Sequence, residues 1–413
     1  MENKQHNFIA GIVGNLLDRY DMALYGLMAS FIAPNFFPDD DHIVSLIKTY
    51  GVMALGIFTR PLGSLIFGRL AMNFGGKKIM TICLIGVALC TGILGLIPSH
   101  ESIGSMATII FMVTRILQGI FASGENCVAA FFIIENADSD RATRTSGFYN
   151  CSTMIGVVLA SCAATLVSYS SMPSYYWRYA FFMGFLAAIV GVILRRSMSY
   201  DKAIVPTILF KDTLDLFMKN KVKMLRVILV SSFSYITYTI PFVFMNSFIP
   251  KITNIKFGEM LQVNSILLIL DATLIPIFGI IAENYNRTKF MAIMSTFVAV
   301  TAVPLFYFLE NSGFLYVMFV RTLIILAGLA YLAPLQAWYY DLFKTSERYL
   351  LIGVSHSLAE EILGRSSTAI CLALWYYFNS TIAPACYIML IAILATIALI
   401  TSLPDKDAES GPL

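Results

Sequence analysis

Six acids and six arginines lie inside apolar runs of about twenty residues, the length of a membrane span. The acids are Asp18, Asp21, Glu125, Asp271, Glu360 and Glu361; the arginines are Arg19, Arg60, Arg115, Arg178, Arg321 and Arg365. An ionisable group at membrane depth costs about 2.5–3.5 kcal/mol on insertion scales. A dozen of them exceed what a passive anchor needs. Such groups face a bundle interior or a wet cavity, where they pair with one another or handle ions and polar solutes. Asp18 and Asp21 are three apart and share one helix face. Asp271 stands alone among Leu270, Ala272 and other apolar neighbours. A lone acid in such a place tends to hold a proton unless a cation pairs with it. Arg321 is a cation for that pairing across helices, or for an anionic solute, a task suited to the guanidinium fork. Glu361 and Arg365 are one turn apart and are expected to pair, leaving Glu360 the freer acid, with His356 one turn before it.

These residues need elements to place them. The chain is 58% apolar and only 13% charged, against about 45–50% and 25% in soluble domains. It is an integral membrane protein by composition. The net charge of +3 is small, and the basic residues cluster in short loops, which suits membrane topology rather than nucleic-acid binding. No Gly-rich phosphate loop and no metal-ligand spacing occur, so no cofactor and no metal are expected. The seven cysteines form no CxxC and read as small packing residues.

Twelve spans are predicted, at 8–33, 49–70, 78–98, 105–133, 147–168, 177–196, 226–249, 259–282, 288–308, 314–341, 349–377 and 384–403. With the N-terminus inside, nineteen Lys and Arg fall on the inner side and three on the outer side, Lys48, Lys251 and Lys256. That asymmetry predicts both termini in the cytoplasm. Helix one then rises outward and carries Asp18 and Asp21 to about 15–20 Å depth, near the midplane. Arg115 lies about 15 Å from the outer end of span four by the same rise, and Glu125 lies deeper, within reach of the Arg60 region. Tyr20, Tyr25, Tyr149, Tyr235, Tyr238 and Trp375 offer aromatic walls for a quaternary ammonium, or ordinary packing. Glu135, Arg141, Arg144, Glu283, Arg287, Asp341 and Arg348 fall near cytoplasmic ends and read as gating ion pairs, with Arg60 grouped among them. The sequence divides into a six-helix bundle over 1–196, a linker over 197–225 with an amphipathic stretch at 206–218, and a second bundle over 226–413. The loops after spans two and eight, over 68–78 and 279–289, look like copies of each other, with Gly68 opposite Gly279 and Lys78 opposite Lys289. Two homologous halves imply a central site near the midplane.

These loops resemble the signature G-x-x-x-D-x-x-G-R-[RK] of the major facilitator superfamily, with Met72 in place of the acid and Gly76 in place of the arginine. Glu283 occupies the acid position in the second copy. Arg115, Gln118 and Gly119 look like its R-x-x-Q-G motif. Within it, the chain is similar to the metabolite–proton symporters, which include proline/betaine and organic-acid carriers. Their G-N-x-x-E-W-x-D-F-x-x-Y-G appears here as Gly14, Asn15, Asp18, Arg19, Asp21, Tyr25 and Gly26. Arg60-Pro61-Leu62-Gly63 and Trp177-Arg178 match further motifs, as do Asp341, Leu342, Phe343, Arg348 and Tyr349. The resemblance implies an all-α fold of twelve transmembrane helices in two pseudo-symmetric bundles, and a role for Arg115 in proton coupling.

The expected function is proton-coupled import of a small polar metabolite by rocker-switch alternating access. The solute is a zwitterionic osmolyte such as proline or betaine, or an organic acid anion. An exporter on the same fold and a transport-inactive sensor are the alternatives; an enzyme is not expected, since no nucleophile–base pair or metal set appears. The expected partners are a small-molecule substrate, protons and the lipid bilayer, with no nucleic acid. The expected setting is a bacterial inner membrane and the expected state a monomer. The expected substrate and proton pathway is Asp18, Arg19, Asp21, Tyr25, Arg115, Gln118, Glu125, Asp271, Arg321, Glu360, Glu361 and Arg365.

Overall fold

A computed structural model describes residues 2–38, 45, 48–49, 51–52, 55–136, 141–167, 175–196, 212–310, 312–344 and 347–402. These residues are helices and their connections, with no strand among them. Among the described residues, nine helices are long and apolar enough to cross a membrane. Three further stretches among the described residues are helical but more polar or more interrupted. Span one is Glu2–Leu27 followed by Ala29–Phe36, with Asp18, Arg19 and Asp21. Span two is Gly56–Phe74, with Arg60 and Arg69. Span eleven is Arg348–Leu358, a π-helical Ala359–Gly364 and Ser367–Phe378, with Glu360, Glu361 and Arg365.

The polarity runs inside out, as a lipid solvent requires. Phe58, Leu96, Leu186, Ile266, Val300 and Leu315 are exposed, while Asp18, Asp21, Arg60, Glu125, Arg195, Arg321 and Glu361 are buried. Lipid tails accept apolar side chains and leave charged ones to find partners in the protein.

By packing, the chain forms two compact units. The first comprises Met1–Ser139, Phe148–Lys219 and Phe343–Leu358; the second comprises Asp140–Gly147, Asn220–Leu342 and Ala359–Leu413. The units are therefore not uninterrupted halves of the sequence: span eleven changes unit at Ala359, where its π-helix begins. The expected linker is also shorter than 197–225. Asp212–Thr239 is one continuous helix, so residues 212–218 open span seven rather than form a separate in-plane helix. The rest of the 206–218 stretch lies outside the described residues.

Two turns are dictated locally. Gly75 has φ 90° and links the helices Gly56–Phe74 and Gly76–Leu96 as the single residue between them. A side chain at that φ is strained, so the signature glycine is needed there. After span eight, Asn286 accepts a hydrogen bond from the Lys289 backbone N–H at 3.0 Å and starts the next helix.

Candidate functional site

In the first unit, Asp21 sits at the head of a hydrogen-bonded chain that joins spans one, three and four. Thr91 donates to Asp21 Oδ2 at 2.5 Å. Gln118 Nε2 donates to Thr91 Oγ1 at 2.8 Å. Arg115 Nη1 donates to Gln118 Oε1. Residues 115 and 118 are three apart and share a face of one helix, so Arg115 and Gln118 act as a pair. The Arg115 guanidinium lies over the Tyr25 ring, 3.7 Å from its centroid, an attractive cation–π geometry. Tyr25 is fixed in turn by donating to the Thr49 carbonyl at 2.7 Å. Asp21 is buried, and its Oδ1 has no hydrogen-bond partner among the described residues. Of the expected pathway, Asp21, Tyr25, Arg115 and Gln118 therefore meet in one network. Thr91, which the sequence did not single out, is the link that connects the acid to the rest.

Arg19 lies beside this network. Its Nε is 3.8 Å from Asp18, and its Nη2 donates to Asn126 Oδ1 at 2.9 Å. Its Nη1 points at the Met22 sulfur, 4.0 Å away, and Arg60 Nη2 meets the same sulfur at 2.6 Å. Arg60 is buried, and its backbone carbonyl accepts from the Ser123 hydroxyl at 2.6 Å.

Glu125 does not pair with the Arg60 region. Its carboxylate is held by Arg195 in a two-pronged contact, with Arg195 Nη1 at 2.7 Å from Oε2 and Nη2 on Oε1. Arg195 Nη1 also donates to the Met80 carbonyl at 2.7 Å. Both side chains are completely enclosed. Arg195 is one of the nineteen basic residues expected on the inner side, and nothing in the sequence separates it from its neighbour Arg196. Gly14 explains how it fits: a Cβ there would lie 1.7 Å from Arg195 Nη2. The adjacent Asn15 donates to the Tyr149 carbonyl at 3.1 Å and to Ser152 and Thr153 hydroxyls at 2.8 Å. The Gly14-Asn15 pair of span one thus works as a structural joint. Arg178 is structural too, capping the end of span three through the Gly95 and Ile97 carbonyls at 3.0 and 2.5 Å.

In the second unit, Arg321 and Asp271 do not pair. Arg321 is fully buried and donates to amide oxygens, Asn246 Oδ1 at 3.1 Å and Asn264 Oδ1 at 2.6 Å. Asp271 lies two turns along the same helix face from Asn264. It is buried, its Oδ2 lacks a hydrogen-bond partner, and it forms no ion pair among the described residues. In span eleven, Glu360 is not the freer acid. Arg365 reaches Glu361 at 3.1 Å and Glu360 at 3.4 Å. The wide π-turn is the reason, since its backbone bond from Arg365 N–H to Glu360 C=O brings i and i+5 together. An α-helix would have turned Glu360 away.

At the basic end of each unit the expected gating residues are organised. In the first unit Glu135 accepts from Arg348 Nη1 at 3.0 Å and from the Tyr349 hydroxyl at 2.7 Å. Arg348 Nη2 also donates to the Phe343 carbonyl at 3.1 Å. In the second, Arg287 Nη1 donates to Asp341 at 2.5 Å and Arg287 Nε to the Thr143 hydroxyl at 2.7 Å. Arg144 opens span five next to Gly279, and Glu283 ends the helix of span eight. The departures in the first signature loop also find a reason. Met72 is buried apolar packing. A Cβ at Gly76 would lie 2.9 Å from the Tyr349 hydroxyl, the same group that holds Glu135.

No group of three ligating side chains able to hold a metal occurs among the described residues. Two of the six aromatic residues make packing contacts: Tyr20 donates to the Ala180 carbonyl at 2.9 Å, and Trp375 stacks edge-on to Phe248.

Comparison with known proteins agrees with this architecture. Residues 6–198 match the family described as "Sugar (and other) transporter". The chain is 24% identical to the proline/betaine transporter of Escherichia coli K12, over 98% of this chain and 84% of that one. It is 25% identical to a glycine betaine/proline/ectoine/pipecolic acid transporter of Dickeya dadantii, covering 98% and 83%. The structure of the proton:xylose symporter XylE superposes with a TM-score of 0.71 at 14% identity, over 97% of this chain and 95% of that one. The chain shares the fold of this symporter and is similar, over nearly its whole length, to proline/betaine transporters of bacteria.

Proposed function

We propose that this transporter imports a small polar metabolite together with a proton, by alternating access, with both termini in the cytoplasm. The observation that carries the reading is the chain Asp21–Thr91–Gln118–Arg115. A carboxyl buried near an arginine and linked to it through hydrogen bonds exchanges one partner for the other as it gains or loses a proton. Loading Asp21 weakens its hold on Thr91 and frees Gln118 and Arg115 to shift. That converts proton binding into movement of spans one, three and four. Proline, betaine or an organic acid anion is the solute, by likeness to the relatives. The Glu135–Arg348–Tyr349 and Thr143–Arg287–Asp341 clusters act as gate pairs that break in each cycle.

The test is uptake of labelled proline, betaine, 2-oxoglutarate and citrate by proteoliposomes, with and without an inward proton gradient. At least one solute accumulates, and the gradient stimulates it. Asp21→Asn abolishes accumulation and leaves exchange of labelled for unlabelled solute intact. Gradient-driven accumulation that survives Asp21→Asn removes Asp21 as the coupling site. Tight vesicles that take up none of the four remove the import reading.

A further inference from the structure

We infer that Asp271 is a second proton-binding site, carried in the second unit, so that each solute enters with two protons. This rests on the transport reading above and adds the coupling ratio to it.

The other buried acids among the described residues each have a partner. Asp21 accepts from Thr91 at 2.5 Å, and Glu125 is held by Arg195. Glu360 and Glu361 share Arg365, and Asp18 lies 3.8 Å from Arg19 Nε. Asp271 has neither a hydrogen bond nor an ion pair among the described residues, and its Oδ2 is enclosed. It stands one residue past the midpoint of the helix Phe257–Glu283, on the buried stripe formed with Met260, Leu267 and Ile275. The other acids of that helix, Glu259 and Glu283, are each about 18 Å away along its axis at the helical rise.

The packed neighbours of this helix supply no cation either. Met245–Ile252 carries Lys251, exposed at its end, and Arg287–Tyr307 carries Arg287 and Lys289 in its first turn. Arg144, beside Gly279, is exposed. Phe314–Leu332 carries Arg321, which is committed elsewhere: it donates to Asn246, to Asn264 and, at 3.5 Å, to the Met260 carbonyl. The tyrosine hydroxyls of that helix are committed too, Tyr316 to the Leu305 carbonyl and Tyr331 to the Val230 carbonyl. None of these charges acts on the Asp271 carboxyl.

A carboxylate at Asp271 would be a bare buried charge, which is strongly disfavoured, and one proton removes it. The site can also exchange that proton. Asp271 keeps 5% of its exposure, whereas the structural acid Glu125 keeps none. An arrangement that opens this face to water lets the carboxylate form, and return to the buried arrangement takes up a proton again. Acids placed in this way within a membrane mark proton relays. The two proton sites differ in what they move. Asp21 is tied through Thr91 and Gln118 to Arg115, so its titration pulls on three helices. Asp271 is tied to no partner, so its proton is carried without pulling on a neighbour. Asp21→Asn therefore stops net movement, and Asp271→Asn removes one proton from each turn.

The first test needs no solute. Infrared difference spectra of the detergent-purified full chain, recorded against pH, follow the carbonyl stretch of protonated carboxylic acids. A band present at neutral pH disappears as the pH is raised, is missing in Asp271→Asn, and returns at a shifted position in Asp271→Glu. The second test uses proteoliposomes with labelled betaine or proline, one pH unit across the membrane and the voltage held at zero. Each coupled proton multiplies accumulation by about ten under these conditions. The wild type reaches about a hundredfold, Asp271→Asn about tenfold, and Asp271→Glu recovers the wild-type value. The proposal is overturned if no band depends on Asp271, if that band persists until the protein unfolds in alkali, or if Asp271→Asn accumulates as much as the wild type. An Asp271 band that titrates in a protein with no gradient-driven uptake would remove the transport reading and leave the proton site standing.

Discussion

At the scale of single residues, burial decides what each charge can do. Glu125 and Arg195 are fully enclosed and satisfy each other. Removing one partner of such a pair costs about 3–5 kcal/mol, because the other is left charged and buried. Glu125→Gln and Arg195→Met are each expected to lower the melting temperature of the purified protein severely. The double change Glu125→Leu with Arg195→Met recovers most of the loss, since a well-packed apolar pair replaces buried ions at little cost. A double variant as unstable as the singles would show that the pair is needed for more than its own neutralisation. Asp21 differs from Glu125 in having a hydroxyl partner where Glu125 has a cation, which is why Asp21 is assigned the labile role.

At the scale of elements, irregular geometry places the polar groups. The π-helix Ala359–Gly364 folds both glutamates of span eleven onto Arg365. The sequence spacing pointed to one pair and one spare acid, because it assumed α-helical rotation. The loop after span two makes the same point with a glycine. Gly76 is not a lost signature arginine but the space that Tyr349 occupies to hold Glu135. Gly76→Ala should therefore cost more stability in the wild-type background than in Tyr349→Phe. A coupling of about 0.5–3 kcal/mol is expected for residues in contact. A thermal double-mutant cycle measures it, and additive effects would dissociate the loop from the Glu135 cluster.

At the scale of the whole molecule, charge distribution sets orientation. The sequence count, nineteen basic residues on the expected inner side against three on the outer, predicts that a phosphatase reporter fused after Leu413 is inactive in cells. The same reporter fused after His100, in the loop following span three, is expected to be active. The reverse pattern would invert the topology. Arg195 does not weigh against this, since its removal from the loop count changes a large ratio little.

The sequence by itself determined the apolar, all-helical class and which helices carry the ionisable residues. Each of these follows from local rules: span length, the cost of buried charge, and helix periodicity. Only the tertiary structure decided the partners. Thr91 joins Asp21 to Gln118, Arg195 takes Glu125, Asn246 and Asn264 take Arg321, and Met22 stands between Arg19 and Arg60. Apart from Arg19 and Met22, which share a helix, these residues meet across helices 27 to 75 positions apart in sequence, where periodicity carries no information. Which arginine reaches which acid depends on helix rotation, and on openings such as Gly14 that admit one guanidinium and no other.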